Sequence, residues 1–357
     1  MGVTAMVAAV VLAAVGGVGP AKAPAAQIVL PAYGYVWAYQ PAAASYLANS
    51  GYELNSTGGP IEIIRGGAGD YRVRFAGMGV VGGVAHAHAY GPGNTGFCNL
   101  AGWAASGGDE HLRVRCYAAD GAPADLRFVA SFTNRQPTAD SYAYLWANDP
   151  LSADPYEPPA AFTHDSTGGV VTSQRYAQGH YLVFADAVTE VYPAGHNDGH
   201  FHVTAQNQSA VRCEIYGPQD ETPPPISVVC YDAAGEPADS RFTLTYSRGV
   251  DLFGRSTVPL GSALVRPYPD GPWLEGWWNA GGAPAVTYLG VGSYRVSFPG
   301  LATPFGHAVA NVQGSEHHYC NVVSWYPGGG AQLVRVDCFE TDTQDPAHAQ
   351  FGVAFTS

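Results

Sequence analysis

The chain has 357 residues, among them 45 glycines and 27 prolines, and a net charge of −13. Lys22 is its only lysine, so arginines make up the rest of its 16 basic residues against 29 acidic ones. An acidic surface repels phosphate backbones and argues against nucleic acid as a partner, and a lysine-free body excludes Schiff bases, Ser–Lys dyads and P-loop phosphate binding.

The N-terminus comes first. Met6 to Val18 is an apolar run of small residues, the length of a signal h-region and too short to span a bilayer. Ala23-Pro24-Ala25 supplies a cleavage site. Residues 1–25 are therefore expected to be a signal peptide, and the mature protein to be secreted, extracellular and free of the membrane.

Three copies of one pattern follow. Copy one carries Gly69-Asp70-Tyr71-Arg72-Val73-Arg74-Phe75, then Cys98, Cys116 and Phe128. Copy two carries Gly179-His180-Tyr181-Leu182-Val183-Phe184, then Cys213, Cys230 and Phe242. Copy three carries Gly292-Ser293-Tyr294-Arg295-Val296-Ser297-Phe298, then Cys320, Cys338 and Phe351. The tyrosines recur after 110 and 113 residues, and the cysteines within each copy are 18, 17 and 18 apart. Such a period marks a duplicated unit. The predicted copies are 26–136, 137–250 and 251–357, the third divergent. A short linker from Asn134 to Asp140 and a longer Gly/Ser/Arg stretch from Ser247 to Gly261 predict three beads, the first two docked more rigidly than the third.

Within each copy the apolar pattern alternates, which predicts strands. An aromatic strand opens the unit (Tyr35 to Ala38; Tyr142 to Ala147), and the turn Asn55-Ser56-Thr57-Gly58-Gly59 or Asp165-Ser166-Thr167-Gly168-Gly169 follows. The Gly-x-Tyr strand and a His-x-His strand come next, then a hairpin bracketed by the cysteines, and a Gly-x-Pro-x-Asp turn leads to the closing strand. Asp120, Asp125 and Asp239 read as turn formers that bond their own backbone. About seven strands in about 105 residues is the signature of a small β-sandwich. An even cysteine count in an exported chain predicts the bridges Cys98–Cys116, Cys213–Cys230 and Cys320–Cys338. The expected fold is all-β: three tandem disulfide-bonded β-sandwich repeats after a signal peptide.

The sum of Asn-Ser-Thr-Gly-Gly, Gly-x-Tyr-x-Val-x-Phe, the paired cysteines and Gly-x-Pro-x-Asp resembles an uncharacterised secreted β-repeat family of high-GC bacteria. The resemblance implies export and a β fold and carries no activity with it. Copy three lacks the Asn-Ser-Thr turn and has Thr343-Gln344-Asp345-Pro346 in place of Gly-x-Pro-x-Asp.

Two groups of residues could bind something. His86 and His88, and His200 and His202, stand at i and i+2, so each pair shares a strand face. Two imidazoles could hold a metal with His111, His196 or Asp198 as a third ligand. Copy three, however, has Val309 where His86 and His202 align, and polar residues fill alternate positions of a solvated face in any case. No metal and no cofactor is expected. Trp273, Trp277 and Trp278 lie in a Gly/Pro-rich stretch outside the repeat pattern, read as a loop, and loops often carry function. Trp37, Trp103, Trp146 and Trp325 read as core or junction residues.

No G-x-S-x-G elbow, H-E-x-x-H motif or unpaired cysteine marks a catalytic centre. The leading expectation is a non-catalytic binding module for an extracellular polysaccharide or cell-wall polymer. A structural or adhesive coat protein is the alternative, and a polymer-degrading hydrolase the third reading.

Overall fold

A computed structural model describes residues 31–189, 199–218, 225–267, 271–314 and 317–357. The expected signal segment, His196 and Asp198 lie outside them. Copy one comprises β1 (Tyr33–Ala38), β2 (Ser45–Leu47), β3 (Glu53–Asn55), β4 (Ile61–Gly67), β5 (Asp70–Phe75), β6 (Val84–Ala89), β7 (Phe97–Ser106), β8 (Asp109–Tyr117) and β9 (Phe128–Thr133). Copy two comprises β10 (Ser141–Ala147), β11 (Thr163–Asp165), β12 (Thr172–Ala177), β13 (His180–Phe184), a one-turn helix α1 (Asp186–Thr189), β14 (His200–Gln206), β15 (Val211–Pro218), β16 (Ile226–Asp232) and β17 (Arg241–Arg248). Copy three comprises β18 (Leu260–Arg266), β19 (Trp273–Asn279), β20 (Ala285–Gly290), β21 (Ser293–Pro299), β22 (His307–Val312), β23 (His318–Gly328), β24 (Ala331–Glu340) and β25 (Phe351–Thr356).

The all-β expectation holds, and the three copies repeat one topology. A first sheet joins the opening, closing and fourth strands with an edge strand, in the orders β3-β1-β9-β6, β11-β10-β17-β14 and β19-β18-β25-β22. A second layer carries the cysteine hairpin: β2-β4-β5-β8-β7, β12-β13-β16-β15 and β20-β21-β24-β23, the first of these continuing through β7 into β14 to make one nine-stranded sheet with β11-β10-β17-β14. Alternation explains the pairing of faces. In β5, Tyr71, Val73 and Phe75 are buried while Arg72 is exposed, and their partners from the other sheet are Ala85, Ala87, Ala89, Phe128 and Ala130. Cys98 faces Cys116, Cys213 faces Cys230 and Cys320 faces Cys338 directly across the hairpin. All three disulfides are formed.

The Gly-x-Tyr and Gly-x-Pro-x-Asp motifs prove to be two halves of one cluster. Asp125 takes a two-point ion pair from Arg65 (3.0 and 2.8 Å), the amide of Gly69 (3.0 Å) and the hydroxyl of Tyr71 (2.9 Å). Asp239 takes the same set from Arg175, Gly179 and Tyr181. These aspartates therefore clamp a neighbouring strand and are not the self-bonded turn residues expected, whereas Asp120 does accept from the amide of Ala122 two residues on. The glycine is required for two reasons. Gly69 has φ +64°, and a Cβ there would lie 2.2 Å from the carbonyl oxygen of Cys116.

The copies are not separate beads. Residues 31–357 form one compact unit, closed by three equivalent bridges. Leu100, two residues after the first cysteine of copy one, pairs in parallel with Gln206 of copy two. Ile215 pairs with Gln313 of copy three, and Val322 with Tyr90 of copy one. The same amide-to-carbonyl hydrogen bond accompanies each: Asn207 to Leu100 at 2.8 Å, Gly314 to Ile215 at 3.0 Å and Gly91 to Val322 at 3.0 Å. One contact used head-to-tail three times and closing on itself defines a ring with a pseudo-three-fold axis. At two of its junctions a tryptophan pair packs edge to face: Trp103 with Trp146, and Trp325 with Trp37. Leu264 takes the corresponding place on the opening strand of copy three.

Candidate functional site

Ring closure decides where the histidines go. On β6, β14 and β22, one set of alternate residues fills each copy's own core and the other turns toward the axis. The axial set is Val84, His86 and His88 in copy one, His200, His202 and Thr204 in copy two, and His307, Val309 and Asn311 in copy three. Five of these nine are histidines. His86, His200, His202 and His307 are at most 4% exposed, which corrects the expectation of a solvated face. His307 aligns with His200, two residues before the Val309 register, so it does not stand out in a comparison of the His-x-His pairs.

The ring of His202 inserts between those of His86 and His88, with centroids 3.9 and 4.6 Å away. Threonines on the neighbouring strands meet the stack edge-on. His86 lies 3.1 Å from the Thr204 hydroxyl through Nδ1 and 2.8 Å from that of Thr245 through Nε2, and His88 Nε2 lies 3.0 Å from Thr204. By contrast His202 Nε2 and both ring nitrogens of His200 and His307 are buried without a hydrogen-bond partner. Burial is the main cause of a depressed pKa at all five. His88 falls to about 4 and His200 and His307 to about 3. His86 and His202, which also feel neighbouring imidazoles, lie well below 6.5. All five are neutral at pH 7.

Beyond His88 the axis opens into a cavity of about 50 Å³ lined by all three copies, including Cys98, Cys213 and Cys320. Here Arg212 is held over the rings of Phe97 (5.5 Å) and Tyr319 (4.9 Å). Its Nε donates to Glu214 at 3.2 Å. Burial raises the Glu214 carboxyl to about 7, against the pull of Arg212.

The tryptophans lie elsewhere. Trp273, Trp277 and Trp278 are 46%, 40% and 38% exposed and sit on the strand β19, not on the expected loop. Register places Trp273 opposite Arg266 and Trp278 opposite Ser262, on one face, with Trp277 opposite the core residue Ala263 on the other. Trp273 and Trp278 are thus about 13 Å apart along one side. Arg266 and Glu275 form a two-point ion pair on the same ribbon.

A second aromatic surface escaped the sequence reading because its residues are remote in the chain. Trp37, Tyr39, Tyr52, Tyr90 and Trp325 line a groove of about 380 Å³ between copies one and three, with Arg127 at its side. Across Tyr90, Pro92 and Arg127 it meets a second groove of about 420 Å³.

The histidines therefore come together at the axis, and the tryptophans form a separate surface on copy three. No helix among the described residues is long and apolar enough to cross a membrane. No known protein family, curated protein or solved structure matches the chain, so the functional reading rests on this geometry.

Proposed function

We propose that this chain is a secreted, non-catalytic binding module for a glycan or cell-envelope polymer. The observation that carries the reading is the exposure of Trp273 and Trp278 on one face of β19. Half-exposed indoles stack against flat apolar faces such as those of sugar rings, and an exposed aromatic patch ordinarily marks an interaction site. The aromatic groove between copies one and three supplies a second surface of the same chemistry. Three formed disulfides support export into an oxidising compartment.

Tryptophan fluorescence of the oxidised chain, titrated with soluble polysaccharides and peptidoglycan fragments, tests the proposal. A saturable shift that is lost in the double variant Trp273→Ala/Trp278→Ala is expected. Absence of a shift with every polymer overturns it.

One observation favours the structural reading as runner-up. β19 and β20 are both outermost strands of their sheets, and Trp277, Tyr288 and Leu289 are exposed along them. Free apolar edges are templates for strand addition between chains. Under that reading sedimentation velocity would show assembly growing with concentration, with no polymer present.

A further inference from the structure

We propose that His86, His88 and His202 form a transition-metal site on the pseudo-three-fold axis, taking zinc or a similar borderline divalent ion that staples copy one to copy two. The three side chains each offer a nitrogen within 4.8 Å of the other two. Two nitrogens already converge on a single point: His86 Nδ1 and His88 Nε2 lie 3.1 and 3.0 Å from the same Thr204 oxygen. An ion seated beside that point would require the Thr204 hydroxyl to rotate aside. Zinc–nitrogen bonds of about 2.0–2.1 Å in tetrahedral array put ligand atoms about 3.3 Å apart. Closing to that spacing requires the stacked rings to turn out of their near-parallel arrangement, so that the three nitrogens point at one ion.

The chemistry of the donor set selects the metal. Imidazole suits zinc, copper and nickel, whereas calcium and magnesium require oxygen ligands. Three histidines with a fourth position open to water is an established zinc arrangement, and the cavity bordered by His88 can supply that water. Glu214 lines the same cavity as His88. Thr245, 2.8 Å from His86 Nε2, acts as the outer partner that fixes a ligating ring. The buried Nε2 of His202, which has no hydrogen-bond partner, supplies an independent argument, because an orphaned polar atom in a native interior calls for a water or an ion to account for it.

The chain's own repeats provide the variants. Copy three carries Val309 at the register of His202, and copy two carries Thr204 at that of His88, so His202→Val and His88→Thr place residues the architecture already accepts. The full oxidised chain, stripped with chelator, is titrated with Zn(II) against a chromophoric competitor and separately with Co(II). The expected result is one equivalent per chain and the visible bands of four-coordinate cobalt. In either variant, affinity should fall by more than the roughly 10–100-fold that loss of an outer partner alone produces, while His317→Gln, at an exposed position, binds as the parent does. Circular dichroism and thiol titration confirm that the variants are folded and oxidised. Absence of stoichiometric binding in the parent overturns the proposal, as does a cobalt spectrum that His202→Val leaves unchanged. The cobalt bands of the parent decide the matter even if both variants fail to fold.

Discussion

Copies one and two hold their Gly-x-Tyr strand with an ion clamp; copy three does not. The register that carries Arg65 and Arg175 carries Tyr288 in copy three, and His348 stands where Asp125 and Asp239 stand. The Tyr294 hydroxyl then meets His348 Nδ1 at 2.6 Å, with the Tyr288 ring stacked beside it. The same copy has lengthened its outer strand. β19 runs seven residues, whereas β3 and β11 run three. The fold thus tolerates loss of the clamp where the glycine and the disulfide remain. The longer β19 lies at the solvent edge of its sheet, where added side chains displace nothing.

The element common to all copies should be the most sensitive. Gly69, Gly179 and Gly292 share a φ near +65° and the same close approach to a cysteine carbonyl. Alanine at any of the three is expected to cost about 2–5 kcal/mol in denaturant unfolding, from left-handed strain and overpacking together. A much smaller cost at Gly292 alone would break the equivalence of the copies. The clamp comes next. Asp125→Ala and Asp239→Ala should each cost about 2–3 kcal/mol, because each strips a charged partner from an arginine, an amide and a tyrosine, whereas His348→Ala should cost about 1 kcal/mol. Equal losses would mean that the neutral cluster substitutes fully for the ion pair.

Acid separates the axis from the clamps. The axial histidines have folded pKa values below the unfolded 6.5, so between those limits the unfolded chain binds more protons and stability rises with pH. Their contribution is complete above pH 6.5 and is lost as pH falls toward 4 and 3. The clamp aspartates act lower. Arg65 is the main cause holding Asp125 below 3.8, and at Asp239 Arg175 and Gly179 together outweigh an opposing effect of burial; their stabilisation is lost only as pH falls through those depressed values. Buried Glu110 and Glu214, raised to about 8 and about 7 by burial, work in the opposite sense as pH rises above 4.5. The test is therefore the difference between parent and variant in chelator. His202→Val should reduce the stability lost as pH falls below 6.5, and an unchanged slope would show that His202 is not the buried neutral base described. The smallest effect belongs to the edge. Trp273→Ala and Trp278→Ala should alter stability by less than about 0.5 kcal/mol each while abolishing any fluorescence response to polymer.

Much of each copy was legible in the chain. Alternation in Tyr71-Arg72-Val73-Arg74-Phe75 and the cysteine intervals specify strands and bridges, because both are local constraints. The ring was not legible. His86 and His88 alternate with Ala85, Ala87 and Ala89, a pattern identical to that of a strand with one solvated face; nothing in it shows that the polar side meets two other copies. Arg65 and Asp125 are 60 residues apart, so the clamp appeared as two unrelated motifs. The segment Trp273 to Asn279 lacks alternation and is flanked by glycine and proline, and the bulge at Glu275 that lets it pair as a strand follows no sequence rule.

The closed ring has a consequence for what its centre may contain. Three identical chains arranged this way would have to place one residue type three times around the axis, so any ionised group there would face two copies of itself. A single polypeptide is free of that restriction. The position before the first cysteine of each copy is Phe97, Arg212 and Tyr319 in turn, and the lone guanidinium rests between two rings that welcome it. Tandem linkage has allowed this protein an asymmetric heart inside a symmetric frame, something no homotrimer of the same sandwich could assemble.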